Sequence, residues 1–172
     1  MKRITYAVLV IGMSWLFTAF SAFSQGDDGY IEDNSIFDRV LSTLQKKCAV
    51  PALLPTYLAN EDETNPLYAI LTEVNKNRYE IEIAFDPECN NAGACHFGSV
   101  TGEKSPGEPF SGKKVKLTNG ISGYFTESEC AANCSDATLS WEMQNYRYHM
   151  TLKAGSRKNL IEMVNSAIEN AP

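Results

Sequence analysis

Residues 138–167 constrain the chain most. TLSWEMQNYRYHMTLK reads as two strands, and SRKNLIEMVNSAI follows as a helix. Leu139 and Trp141 alternate with Thr138, Ser140 and Glu142, while Tyr146, Tyr148, Met150 and Leu152 alternate with Arg147, His149, Thr151 and Lys153. A period of two residues marks a strand with one buried and one wetted face. Gln144-Asn145 between the runs is turn chemistry, because Asn tolerates positive φ. Gly155 breaks the second strand, and the Ser156 side chain is placed to accept from a free amide of the next turn. Leu160, Ile161, Val164, Ala167 and Ile168 recur every three or four residues and form one apolar stripe. Burying that stripe on the Tyr/Trp/Leu face of the sheet yields roughly 1.5–3 kcal/mol per large side chain. Any fold for this chain therefore contains a hairpin with a helix laid across it.

The remaining sequence supplies a leader, a second helix and more strands. Lys2 and Arg3 precede an apolar run, and Ala22-Phe23-Ser24 ends it with small residues at the positions a signal peptidase reads, so 1–24 is expected to be a cleaved secretory signal. An uncleaved anchor is the alternative, because 6–23 carries no charge. Residues 25–34 (QGDDGYIEDN) form an acidic lead-in, and 35–172 a single globular domain. Asp27, Asp28, Glu32 and Asp33 lack the alternating register of a calcium loop. Asn34 or Ser35 is expected to cap a helix over 36–48 with Phe37, Val40, Leu41, Leu44 and Cys48 inward, and Pro51 and Pro55 end it. Strands are expected at 67–74, 78–85, 95–101, 113–118 and 121–125, with Arg78, Glu80 and Glu82 outward; Asn119-Gly120 marks a hairpin, or a bend in one strand. The expected class is α+β, an antiparallel meander of about six short strands with an N-terminal and a C-terminal helix packed on it.

Cysteines at 48, 89, 95, 130 and 134 suit an oxidising compartment. Cys89 and Cys95 flank turn residues, and Cys130 and Cys134 lie close in sequence. Local pairing within each couple is expected, worth about 2 kcal/mol apiece, with Cys48 left as a buried thiol. Zinc on Cys89, Cys95, His96, Cys130 and Cys134 is the competing reading, but the spacings do not match close ligand pairs. The absence of CxxC argues against redox catalysis.

The chain carries a formal charge of −6, and loss of Lys2 and Arg3 makes it more acidic. Nucleic acid and anionic lipid both favour basic surface, so neither is an expected partner. The sequence holds no GxxxxGKS, GxGxxG, HExxH or GxSxG pattern, and no cofactor is expected. His149 belongs to the polar set of its strand and reads as solvated, with a catalytic base as the alternative. Glu80 and Glu82 share one strand face and read as solvated charges, with a carboxylate pair as the alternative. Tyr68, Tyr79, Tyr124, Trp141, Tyr146 and Tyr148 would serve as core under the helices, or line a cleft for an apolar or sugar ligand.

The run TNGISGYFTESECAANCSDATLSWEMQNYRYHMTLKAGSRKNLIEMVNSAI, together with PALLPTYL and DPECNNAGACHFGSV, resembles small exported proteins of unknown function found mainly in cyanobacteria, over residues 50–168. That resemblance implies one exported domain and brings no catalytic residue. The strand–strand–helix ending is also similar in topology to lipoprotein-carrier domains, which hold apolar cargo in a curved sheet. The expectation is a secreted or periplasmic monomer, without a membrane span after cleavage, that binds an apolar ligand, a lipid moiety or an envelope protein and carries no catalytic machinery. The alternatives are a hydrolase with a site near His149 or Glu80/Glu82, and a structural protein of the envelope.

Overall fold

A computed structural model describes residues 31–171 apart from 33, 63, 90–92 and 132–133, with backbone alone at 31–35. The signal segment 1–24 and the carboxylates of Asp27, Asp28 and Asp33 lie outside the described residues. So do the side chains of Glu32, Asn34 and Ser35.

Seven strands form one antiparallel sheet: β3 (Tyr68–Asn75), β4 (Arg78–Ala84), β5 (His96–Lys104), β6 (Lys113–Lys116), β7 (Ser122–Thr126), β8 (Asp136–Met143) and β9 (Tyr146–Lys153). A separate pair joins β1 (Ile31–Glu32) to β2 (Tyr57–Leu58). The helices are α1 (Asp38–Lys47), led in by a 3-10 turn at Asn34–Phe37, and α2 (Arg157–Glu169). The class is thus α+β with a terminal helix at each end, but the sheet has more strands than the expected six.

Nor is the sheet one meander. Its order, β3-β4-β5-β9-β8-β7-β6, joins two meanders along the β5/β9 seam, and the connection 105–112 carries the chain from the middle to the far edge. Sequence pattern defines strands and tight turns but not this long-range pairing, because any amphipathic strand offers an equivalent ladder to β5.

Local chemistry explains each turn. Gln144 and Asn145 have φ of 54° and 68°, the paired positive values of a two-residue hairpin. Asn119 and Gly120, with φ of 53° and 73°, sit at the tip between β6 and β7, which makes this a hairpin and removes the bent-strand alternative. Ser156 Oγ accepts from Asn159 N at 3.1 Å and starts α2. Phe37 precedes α1 without a side-chain cap; Asp38 in the first turn and Lys46 and Lys47 in the last match the helix dipole.

Both helices cover the same face. Phe37 of the 3-10 turn, Val40 and Leu44 of α1 and Leu160, Met163, Val164, Ala167 and Ile168 of α2 share one buried cluster with Tyr79, Ile81, Ile83, Val100, Leu139, Trp141, Tyr148 and Met150 of the sheet. Residues 49–58 run between the helices, and the core tyrosines hold them there. Tyr148 Oη donates to Pro51 O at 3.2 Å, and Tyr79 Oη accepts from Leu53 N at 3.1 Å. Ser166 Oγ of α2 accepts from the amides of Thr56 and Tyr57 at 3.2 Å each. Buried tyrosines thus supply both apolar area and the polar partners an irregular segment needs. Gly102 makes room for this: a Cβ there would lie 2.4 Å from the Tyr79 ring.

Candidate functional site

A cleft of about 420 Å³ lies on the helix-covered face between α1, residues 48–56 and the C-terminal end of α2. Leu41, Leu44, Cys48, Val50, Pro51 and Leu54 give it apolar walls, while Gln45, Thr56 and Asn170 place polar groups at its margin. The lining follows from sequence. Helix α1 turns Leu44 toward the core and leaves Leu41 on the flank, and between the two prolines Leu53 is buried in the core while Ala52 and Leu54 line the cleft. Leu41, Cys48, Ala52 and Leu54 are half-buried, so apolar surface remains within reach of a ligand. A second, more polar cleft of about 520 Å³ lies where Asn60, Phe85, His96, Phe97, Lys153 and Asn159 converge.

The opposite sheet face is a lattice of cross-strand polar rows. Glu142, Arg147, Glu103 and Arg78 follow one another across β8, β9, β5 and β4, alternating in charge. Arg147 Nη2 donates to Glu142 Oε1 at 3.0 Å, and Arg78 reaches Glu73, Glu80 and Glu103 at 2.9 Å each. Arg147 also donates to Glu108 O and lies 4.2 Å from the centroid of Phe110, which stacks on Tyr124 at 4.6 Å. The 105–112 connection is therefore held onto this face through an arginine and an aromatic pair.

The next row sets Tyr124, Ser140, His149, Thr101 and Glu80 side by side. His149 is not a lone solvated ring. Its Nδ1 lies 2.7 Å from Ser140 Oγ, and its Nε2 lies 3.6 Å from Glu103 Oε1. Burial pushes its pKa below the usual histidine range, against the pull of Glu103, and Arg147 and Arg78 add to the depression. That direction follows from position: the side chain is 30 % exposed between its neighbouring strands, and burial disfavours its charged form.

Glu82 likewise departs from the expected solvated carboxylate, with 1 % of its surface exposed. Its Oε1 meets His96 Nδ1 at 3.1 Å and lies 3.4 Å from the Cys89 sulfur, while His96 Nε2 meets Asp136 Oδ2 at 2.8 Å. Hydrogen bonding to Asp136, opposed by burial and helped by Glu82, raises the His96 pKa. Burial acts to raise the Asp136 carboxyl, but its bonds from His96 and Thr151 outweigh that and leave it below the usual value. A bulge at Phe97 shifts the register so that His96 pairs with Ala84 and shares the Glu82 face. Glu80, by contrast, is half-buried and held by Arg78. The two carboxylates thus serve different cations and do not form a pair across a cleft.

Of the six aromatic candidates, Tyr79, Trp141 and Tyr148 are fully buried, with Trp141 and Tyr148 stacked at 5.5 Å. Tyr68, Tyr124 and Tyr146 are half-buried, and none of the six lines either cleft. Cys89 is bonded to Cys95 and Cys130 to Cys134, which commits the four sulfurs of the zinc alternative to disulfides; Cys48 is a half-buried thiol on the apolar cleft. Among the described residues, no cluster of three or more histidine, cysteine or acidic side chains is arranged to hold a metal ion, and no helix is long and apolar enough to cross a membrane.

No family model, curated protein or solved structure matches this chain. The geometry of the two faces is accordingly the whole basis for its function. Ser140 and Glu103, brought beside His149 by strand register, carried no signal of their own in the sequence, and neither did the role of Leu41 and Leu54 as cleft walls.

Proposed function

We propose that this is an exported binding protein that holds a small apolar ligand, such as a lipid moiety, in the cleft beneath α1. The observation that carries the reading is the 420 Å³ space with half-buried Leu41, Cys48, Ala52 and Leu54 on its walls and polar groups at its margin. Apolar walls with a few convergent polar groups are the usual makeup of small-molecule sites. The two disulfides are consistent with a chain that works outside the cytoplasm. The opposite sheet face is a poorer seat for such cargo, because its rows are charged or hydroxylated.

Titration of the purified protein with a medium-chain fatty acid, followed by native mass spectrometry and by alkylation of Cys48, tests this. One bound molecule and protection of the Cys48 thiol are expected, both lost in Leu54→Glu. Absence of binding, or binding that leaves Cys48 equally reactive, rejects the cleft as the ligand site and favours an envelope protein as partner.

A further inference from the structure

We infer that Ser140, His149 and Glu103 form a nucleophilic centre on the polar sheet face, able to accept an acyl group from a small ester. The inference is independent of the apolar cleft, which lies on the other side of the sheet. Three strands assemble the centre: β8 supplies Ser140, β9 His149 and β5 Glu103. Glu103 Oε1, 3.6 Å from Nε2, favours the tautomer with its proton on Nε2, in which Nδ1 accepts from the Ser140 hydroxyl at 2.7 Å. A hydroxyl on a neutral imidazole whose far nitrogen faces a carboxylate is the arrangement that activates serine, whatever the fold around it.

Tyr124, beside Ser140 on β7, stacks on Phe110, and Arg147 covers that ring. Arg147 carries a buried Nε–H with no acceptor among the described residues. Ser140 keeps 8 % of its surface open and the His149 side chain 30 %. Glu103 is a positioning residue, itself held by Arg78 at 2.9 Å.

In the step, Ser140 Oγ attacks the carbonyl carbon while its proton passes to His149 Nδ1. The tetrahedral adduct collapses, the C–O bond to the alcohol breaks, and the alcohol leaves with that proton. Water then attacks the acyl-serine, His149 takes a proton from it and returns one to Ser140, and the carboxylic acid departs.

The test is reaction of the disulfide-intact chain with an alkyl fluorophosphonate, read by intact mass and peptide mapping. One phosphonyl adduct on Ser140 is expected, absent in Ser140→Ala and unchanged in Thr138→Val. In His149→Gln the labelling rate is expected to fall about a hundredfold or more, the usual worth of a general base. Labelling rises with pH as His149 loses its proton. The groups facing that ring are Glu103, Arg147 and Arg78; removing the Glu103 charge in Glu103→Gln moves the rise to lower pH, which a merely structural role would not do. No adduct on protein with native near-ultraviolet circular dichroism, an adduct that survives Ser140→Ala, or wild-type labelling in His149→Gln overturns the inference.

Discussion

His96 Nε2 and Asp136 Oδ2 meet at 2.8 Å although β9 runs between their strands. The contact spans the seam where the two meanders join, and Glu82 on β4 takes the other ring nitrogen at 3.1 Å. One imidazole thus ties three strands and one disulfide loop together. The arrangement is strongest when the ring is charged.

The pH dependence follows from that charge. The His96 pKa is raised by Asp136 and then Glu82, so its contribution is complete below about 6.5, the value of the unfolded chain, and is lost as pH rises through the higher folded value. His149, depressed by burial, has the opposite sign: it weakens the fold as pH falls below about 6.5. Thermal unfolding between pH 5 and 9 should show His96→Gln costing about 1.5–3 kcal/mol at pH 5.5 and markedly less at pH 9. His149→Gln should relieve part of the acid loss. Equal costs of His96→Gln at both ends would contradict the assignment.

Tyr79→Phe removes the acceptor of the Leu53 amide while leaving the ring in place. Leaving a buried amide unpaired costs about 1–3 kcal/mol, which urea denaturation would report as a lower midpoint at unchanged slope. Tyr148→Phe should cost less, because a carbonyl at the cleft margin finds water more readily than a buried amide does.

Gly102→Val places side-chain atoms where the Tyr79 ring lies. Overpacking of this kind costs about 1–3 kcal/mol, and a downfield shift or broadening of the Tyr79 ring resonances would locate the strain. A neutral effect would mean the ring has somewhere else to go.

Each disulfide closes a short loop, so removing either should cost about 2 kcal/mol. Cys89→Ala with Cys95→Ala should also weaken the acid-side stability, since Glu82 and His96 abut that bridge. The Cys130 and Cys134 pair should not show this pH effect.

How much of this was legible in the sequence varied with the range of the interaction. The β8/β9 hairpin, the Ser156 cap, most of each helix's apolar stripe and the local disulfides rest on chemistry within a few residues, and they stand; Leu41, Cys48 and Ile161 are only half-buried, Met163 joins the α2 stripe, and Arg147 of the expected wetted face is buried. The β5/β9 seam, the β1/β2 pair and the bulge at Phe97 depend on which strand meets which, and period-two patterning is the same for every partner. Ser140 and Glu103 were invisible for the same reason: a serine among outward residues means nothing until register sets a histidine beside it. Glu82 reads as solvated from the sequence because burial of a polar face comes from covering loops, which leave no periodic trace.

The central claim, an apolar ligand beneath α1, is tested most directly by native mass spectrometry of the protein taken from its own host without denaturation. A retained small hydrophobic molecule, released by Leu54→Glu while the fold persists, is the predicted result. A bare polypeptide mass together with failure to take up added fatty acid would contradict the account.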